Sequence, residues 1–176
     1  MPKNQPQPQI QIYDILKREH EEVSELLHQL KEAKGNAAQK LFAEIQLKLV
    51  PHSRGEEATV YSRLLNEKTA SEKIRVSLEE HRQVNVLLEE LGDMSPRDEE
   101  WSAKVHVLAD MVGHHVDEEE GELFPMARAV LSDREAAQVA AEYEQARDEA
   151  MQAMTGELEA GEEVEEGGEE EERGAA

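Results

Sequence analysis

Several residue types are missing or scarce, and each absence excludes a class of protein. The chain of 176 residues has no cysteine, which excludes disulfide frameworks, thiol catalysis, cysteine-ligated zinc and iron–sulfur clusters. No segment approaches the roughly 18 consecutive apolar residues of a membrane span. The opening residues, MPKNQPQPQIQ, lack the apolar core of a signal peptide. We therefore expect a cytoplasmic protein with no membrane partner.

Positive charge is also scarce, with 19 lysine and arginine residues against 41 acidic ones and a formal net charge of −22. A polyphosphate partner needs clustered lysine and arginine, so this balance argues against nucleic acid. Residues 157–173 alone hold ten glutamates and one arginine. Such a segment repels itself and has almost nothing to bury, so we predict a disordered acidic tail over 156–176. Residues 1–9, rich in proline and glutamine, are predicted to be a disordered lead-in.

The residues between these ends, 10–155, are predicted to form one helical domain. Apolar residues recur there at steps of three and four, without alternating β-branched runs. The pattern predicts helices over about 10–34, 37–68, 70–91 and 97–130, then a shorter fifth helix, capped by Ser132 or Asp133, that reaches about 155. Short connections between long helices favour antiparallel neighbours. The predicted fold is all-α, an antiparallel up-down four-helix bundle with a short fifth helix.

The chain contains an internal repeat. The segment EHEEVSELLHQL at 19–30 matches EHRQVNVLLEEL at 80–91 in its Glu-His, its Val, its Leu-Leu and its final Leu. After each copy comes a histidine, then two glutamates four and five residues later, then an aromatic residue nine residues later: His52 with Tyr61, and His115 with Phe124. The bundle is therefore predicted to be two similar helix pairs about a pseudo-twofold axis. A duplicated hairpin explains the repeat without any chemistry, so the repeat indicates architecture alone.

Each of the four bundle helices carries a histidine at a position of its apolar stripe where an aliphatic side chain is expected. These residues are His20, His52, His81 and His115. Two of the helices add a carboxylate one turn later, Glu56 and Glu119, and residues at i and i+4 project from one helix face. The remaining histidines lie away from the stripes and are predicted to be at the surface: His28, His106 and His114.

Four imidazoles and two carboxylates in a bundle core indicate a metal centre. Ionised groups buried there without neutralisation are costly. Mutual hydrogen bonds between histidine and glutamate would offset part of that cost, so a metal-free structural bundle stays open as an alternative. Nitrogen and oxygen donors without sulfur suit Fe, Mn, Zn or Co. Six protein ligands would saturate a single ion, whereas two ions would leave positions open for water, hydroxide, dioxygen or peroxide, so we predict two.

These six residues, in their order and spacing, resemble the hemerythrin-like HHE cation-binding domain family. The resemblance covers about residues 10–130 and includes the aromatic-proline pair Phe124-Pro125. It implies a four-helix bundle around a non-haem di-iron centre. By position, the terminal ligands would be His20, His52, His81 and His115, and the irons would be bridged by Glu56 and Glu119 together with an oxo or hydroxo group. The preference for iron over manganese or zinc rests on this resemblance.

The chain departs from the oxygen-carrying members of the family. Those proteins have a fifth histidine one turn from the helix-three ligand, where this chain has Ser77 and Asn85 on either side of His81. They also have an aspartate five residues after the last histidine, where this chain has Glu119 at four. With these departures, the resemblance implies a broader function than oxygen carriage. It implies binding of dioxygen or a related small oxidant, nitric oxide or peroxide, in oxygen or oxidative-stress responses or in iron handling.

Two other functions stay open beside this one. The same centre would suit a catalase-like enzyme that consumes peroxide, or a module that stores or senses iron. No catalytic residue is assigned from the sequence, and protein partners are not predicted.

Four further residues receive a structural interpretation from the sequence. Tyr13 and Tyr61 lie within reach of the predicted ligands and are predicted to fill space at one end of the bundle. Glu57 and Glu120 each follow a predicted carboxylate ligand. We interpret them as partly exposed helix charges rather than as hydrogen-bond partners of the histidines.

Overall fold

Five helices make up nearly all of the part of the chain that the structure describes. The structure is a computed structural model, and it describes residues 10–173, with side chains up to residue 156. The helices are α1 (Ile12–Glu32), α2 (36–64), α3 (Ser71–Gly92), α4 (99–130) and α5 (Asp133–Arg173). No strand occurs among these residues, so the predicted all-α fold is confirmed.

Two of the helices contain a π-helical turn in the middle of an otherwise α-helical run. In α2 the segment Asn36–Glu56 is followed by the π turn Glu57–Tyr61 and by Ser62–Leu64. In α4 the segment Glu99–Glu118 is followed by the π turn Glu119–Leu123 and by Phe124–Val130. The first turn begins five residues after His52 and the second four residues after His115, so they differ by one position in the internal repeat. Turns of this kind are frequent at functional sites.

Helices α1 to α4 form a closed four-helix bundle. Short connections join them, so consecutive helices run antiparallel. α1 packs against α2 and α4, and α3 packs against the same two helices. α5 packs mainly along α2 and also contacts α1. No helix of the described residues is both long and apolar enough to cross a membrane.

The helix α5 begins where the sequence predicts and ends later than predicted. The backbone N–H of Ser132 donates to Glu135 Oε2 at 2.8 Å, and Glu135 N–H donates to Ser132 Oγ at 3.4 Å, which is a capping box. The helix continues to Arg173, beyond the predicted end near 155. Ten glutamates, which are good helix formers, lie in this stretch, although each of its four glycines costs about 1 kcal/mol. The division into a bundle and a disordered tail stays a prediction, and the lead-in 1–9 lies outside the described residues.

The six predicted ligands form a polar layer that divides the core into two apolar clusters. All four bundle helices contribute to both clusters. The Tyr13 cluster contains Tyr13, Leu16, Val60, Tyr61, Ile74, Leu123, Phe124, Val139 and Tyr143, among others. The Trp101 cluster contains Val23, Leu27, Phe42, Ile45, Val84, Leu88, Trp101, Leu108 and Val112, among others. The polar layer lies inside the bundle because its residues interrupt the apolar stripe of each helix rather than standing beside it.

Gly55 allows α5 to approach α2 closely. A Cβ atom at this position would lie 2.8 Å from Cε2 and 3.0 Å from Cδ2 of the Tyr143 ring, which is fully buried. A buried ring has little room to move, so an added methyl group must displace α5 or strain the Tyr143 side chain.

We expect Gly55→Ala to destabilise the protein by about 1–3 kcal/mol because of this overpacking. Unfolding by urea or heat measures the change. Gly113→Ala is the matched control, since Gly113 is also helical and a Cβ there meets nothing within 4 Å. The control should be neutral or gain about 0.5–1 kcal/mol from helix propensity. Equal stability of the two variants would contradict the close packing of α5 on α2.

Candidate metal centre

The six predicted ligands meet in the polar layer between the two apolar clusters. All are buried: His20, His52, His81, His115, Glu56 and Glu119. Their ligand atoms form two groups, each within 4.8 Å: His20, His52, Glu56 and Glu119 in the first, and Glu56, His81 and His115 in the second. Glu56 therefore belongs to both groups. The histidines predicted to be at the surface, His28, His106 and His114, are exposed.

In the first group, the Nε2 atoms of the histidines face the carboxylates. His20 Nε2 lies 3.2 Å from Glu119 Oε2, and His52 Nε2 lies 3.3 Å from Glu56 Oε1. Burial alone would lower the pKa of His52, but Glu56 and the hydrogen bond to Glu19 raise it to about 10. Without a metal ion, a proton on His52 therefore balances part of the buried negative charge.

In the second group, two histidines face each other as well as the shared carboxylate. His81 Nε2 lies 3.5 Å from Glu56 Oε2 and 3.1 Å from His115 Nε2. Two imidazole nitrogens at this distance attract only if one carries a proton or a cation bridges them, since bare lone pairs repel. Burial would lower the pKa of His115, yet its hydrogen bond to Glu80 and the nearby Glu119 raise it.

The Nδ1 atom of every central histidine donates a hydrogen bond to a carboxylate on a neighbouring helix. The distances are 3.0 Å for His20–Glu120, 3.0 Å for His52–Glu19, 3.0 Å for His81–Glu57 and 2.8 Å for His115–Glu80. The four contacts form a closed ring that links α1, α2, α3 and α4 in turn. Because a carboxylate only accepts, Nδ1 carries the proton, and the lone pair that a metal ion needs is on Nε2.

Two of these acceptors correct an interpretation made from the sequence. Glu57 and Glu120 were expected to be helix charges without a histidine partner, and the structure shows this to be wrong. Each follows an inward carboxylate, so its side chain reaches the edge of the bundle where the next helix presents Nδ1. The other acceptors, Glu19 and Glu80, were not assigned from the sequence, although the repeated Glu-His dipeptide is a signal for both.

α5 adds a further layer of hydrogen bonds behind His52. The Tyr143 hydroxyl donates to Glu19 and lies 2.9 Å from His52 Nδ1, and Arg147 Nη1 donates to Glu19 Oε1 at 2.5 Å. Burial would raise the pKa of Glu19, but the hydrogen bonds from His52, Tyr143 and Arg147 lower it to about 2. Glu19 is therefore an anion that fixes the orientation of the His52 ring.

The aromatic residue that ends the first π turn and the one that directly follows the second lie against histidine rings. Tyr61 stacks on His81 with ring centroids 5.4 Å apart, and Phe124 stacks on His20 at 6.2 Å. A π turn brings residues i and i+5 to one face, so Tyr61 points to the same side as Glu56. The π turns thus explain why an aromatic residue nine positions after a histidine reaches the centre.

The two tyrosines expected to fill space have different surroundings. The Tyr61 hydroxyl donates to Glu119 Oε1 at 3.0 Å, so its role is more than filling space. The Tyr13 hydroxyl is buried without a hydrogen-bond partner, and its ring packs against Phe124 with centroids 5.4 Å apart. Tyr13 therefore fits the expectation, and Tyr61 departs from it because the π turn redirects its side chain.

Unsatisfied atoms at the centre test whether these residues fit a metal. Among the described residues, His20 Nε2, both oxygens of Glu56 and Glu119 Oε2 are buried and have no hydrogen-bond partner. Buried polar atoms are nearly always hydrogen-bonded, so four such atoms at one place call for an explanation. All four are atoms that ligate metal ions, and the nitrogen and oxygen donor set suits Fe, Mn, Zn or Co. The residues fit a metal centre.

The same part of the chain matches a protein family. The model of the Hemerythrin HHE cation binding domain matches residues 11–127, which is more than half of the chain. The chain belongs to this family. The six central residues lie within the matched range. So do the four carboxylates that accept hydrogen bonds from the Nδ1 atoms of the central histidines.

Two similar proteins place this HHE domain among its relatives. A DNA nickase from Nostoc sp. (strain PCC 7120) is 29% identical over 146 residues, which cover 82% of this chain and 41% of that protein. This chain thus spans less than half the length of that relative. The crystal structure of a Hemerythrin HHE cation binding domain-containing protein from Mycobacterium kansasii has a TM-score of 0.74 and 24% identity, and the match covers 85% of this chain and 93% of that chain. The second likeness shows the same fold.

A small cavity adjoins the centre of the HHE domain on the side of the Trp101 cluster. Its volume is about 30 Å³, which is enough for a water molecule or a small diatomic molecule. The four central histidines and Glu19 line it together with Val23, Leu49, Val84, Val112 and Val116. Asn85 and Ser53 are its uncharged polar residues, and Ser53 Oγ already donates to the carbonyl oxygen of Val50 at 3.1 Å. The free space next to the centre is therefore mostly apolar.

We expect His52→Ala and Glu119→Ala each to lower the amount of bound metal and the melting temperature together, because metal binding and folding are linked. Elemental analysis and thermal unfolding of the protein as purified measure the two effects. His28→Ala is the control, since His28 is exposed and outside the centre. A metal content at the unsubstituted level in both variants would mean that other residues are the ligands.

We expect Glu80→Gln to weaken metal binding about tenfold or more, because the amide no longer fixes the His115 ring as a carboxylate does. Competition between the protein and a chromophoric chelator for Zn²⁺ measures the affinity. Glu79→Gln is the matched control, since Glu79 is the preceding residue and pairs with Arg82 on the surface. A similar loss in both variants would assign the effect to net charge rather than to the Nδ1 contact.

Proposed function

We propose that this HHE domain holds two iron ions and binds dioxygen or a related small oxidant, nitric oxide or peroxide. The observation that carries the proposal is the convergence of four Nε2 atoms on two buried carboxylates, with four donor atoms left without partners. Two ions are supported by the division into two donor groups that share Glu56. The family's cation-binding description supports a metal, and the resemblance in ligand pattern supports iron.

The protein's own residues have distinct roles in this proposal. The histidines hold the metal through Nε2, and the ring of carboxylates keeps the proton on Nδ1. A bound iron pair would supply reversible redox chemistry and coordination positions open to a small molecule. Glu19 and its partners on α5 hold the His52 ring in place. The apolar clusters on both sides limit the access of water to the polar layer.

The cavity beside the centre supports a small, uncharged ligand. A volume of about 30 Å³ excludes nucleotides, sugars and peptides, and valine walls disfavour charged molecules. The same volume disfavours iron storage as a mineral, which needs room for many ions. Peroxide consumption uses the same space, which Asn85 and Ser53 line as uncharged polar residues. A sensing role is compatible with the same geometry.

The likeness to the Nostoc DNA nickase does not support DNA cleavage by this chain. The match covers 41% of that protein. DNA binding requires a cationic surface for the phosphates, and this chain has a net charge of −22. We therefore propose a small molecule, rather than a nucleic acid, as the ligand.

We expect the purified chain of 176 residues to contain close to two irons per chain and to show the ultraviolet–visible bands of an oxo-bridged ferric pair. Elemental analysis and absorption spectroscopy test both points, and Glu119→Ala is the control for nonspecific iron. Addition of peroxide with an oxygen electrode then separates turnover, which releases oxygen, from binding alone. A folded but metal-free protein from iron-rich medium would remove the basis for the proposal.

A further inference from the structure

Two grooves on the protein surface reach the walls of the small cavity beside the centre. One lies between α1 and α4, and the other lies among α1, α2 and α5. Their volumes are about 260 and 270 Å³, so each has room for a molecule such as dioxygen or nitric oxide. The side chains that line both a groove and the cavity are therefore the barrier that a small ligand must pass.

Polar groups held by hydrogen bonds form most of the barrier in the groove among α1, α2 and α5. The side chains that this groove shares with the cavity are Glu19, Val23 and His52. Glu19 accepts hydrogen bonds from His52 and from two side chains of α5. To open this barrier, an anion must leave its donors, and hydrogen bonds to charged groups are the strong ones.

Aliphatic side chains form most of the barrier in the groove between α1 and α4. The side chains that this groove shares with the cavity are His20, Val112 and Val116. His20 is held by its hydrogen bond to Glu120. The two valines have no polar group, and Val116 is only half-buried. A change of valine rotamer therefore opens this barrier without breaking a hydrogen bond.

Small residues leave space in the groove on the outer side of the two valines. Ser24 on α1 and Gly113 on α4 both line the groove, and both are exposed. A Cβ atom on Gly113 would meet nothing within 4 Å, so the space beside this residue is free. The groove is therefore open from the surface as far as the valines.

We propose that the small ligand reaches the centre through the groove between α1 and α4, and that Val112 and Val116 are the gate. This inference rests on the proposed binding of a small uncharged molecule. Dioxygen, nitric oxide and hydrogen peroxide pass an aliphatic gate at a lower cost than ions, which lose their hydration there. Entry by this route also leaves intact the hydrogen bonds that orient His52.

The test is a series of valine-to-alanine variants around the cavity. Val116, Val23 and Val84 all line it, and each substitution removes the same two methyl groups. Val116 also lines the groove between α1 and α4, Val23 lines the other groove, and Val84 lines neither. Any change in cavity size is therefore common to the three variants, whereas a change at a route of entry is specific to one.

Stopped-flow absorption of nitric oxide binding to the Fe²⁺-loaded chain measures the association and dissociation rate constants. Val116→Ala should raise both rate constants several-fold, because a gate changes the barrier to entry rather than the affinity. Val23→Ala and Val84→Ala should keep the association rate constant of the unsubstituted chain. Circular dichroism confirms that each variant is folded, and Val112→Ala replaces Val116→Ala if the latter is not.

A second measurement uses the metal-free chain. Dissolved dioxygen is paramagnetic, so it accelerates the NMR relaxation of the methyl groups that it approaches. Val112 and Val23 are buried to a similar degree, with 6% and 3% exposure, but they line different grooves. Under dioxygen pressure the methyl groups of Val112 should relax faster than those of Val23.

The other outcomes separate the route of entry from the proposed function. Equal association rate constants in Val116→Ala and Val84→Ala would overturn the inference, and a faster rate in Val23→Ala alone would assign entry to the other groove. Relaxation at Val23 equal to or faster than that at Val112 would also overturn it. If the iron-loaded chain binds no nitric oxide, the proposed function fails, while the relaxation measurement still decides the route of dioxygen.

Discussion

Neutralisation of buried charge is the constraint on which this structure depends. Two carboxylates lie in the bundle core at 0% and 1% exposure, where an unpaired anion would be very costly. Four imidazoles surround them, and four outer carboxylates hold the imidazoles by Nδ1. Charge therefore alternates outward from anion to imidazole to anion. Every bundle helix contributes one imidazole and one outer carboxylate, so the interactions that satisfy the centre also fix how the four helices pack.

The duplicated helix pair explains the regularity of the centre and makes its exceptions visible. The repeat places a histidine, a glutamate, a second glutamate and an aromatic residue at equal offsets in α2 and α4. Two features break this symmetry. Tyr61 has a hydroxyl that Phe124 lacks, and α5 brings Tyr143 and Arg147 to the outer carboxylate of one half. The two halves of the centre therefore share a plan and differ in their surroundings.

The inward direction of the six central residues was predictable from the sequence, because it depends on one helix at a time. Each central residue interrupts an apolar stripe of helical period, so its inward direction follows from its own helix. The outer carboxylates were harder to predict, because each contacts a histidine of a different helix. The contact between Glu19 on α1 and His52 on α2, for example, depends on how the two helices are rotated relative to each other. The role of Tyr61 depends on a π turn, which apolar periodicity does not reveal. The helix boundaries were closest where caps are strong, as at Ser132, and least accurate at the glutamate-rich end.

The position of α5 has a consequence for the C-terminal half of the chain. Its side chains reach the same carboxylate that orients His52, so the docking of this helix and the state of that imidazole share one hydrogen-bonded link. Thermodynamic reciprocity then applies in both directions. Any interaction that fixes the His52 ring at the centre therefore also stabilises the packing of α5 on the bundle. Conversely, a force or a protein contact that detaches α5 through its glutamate-rich C-terminal residues weakens the restraint on the His52 ring.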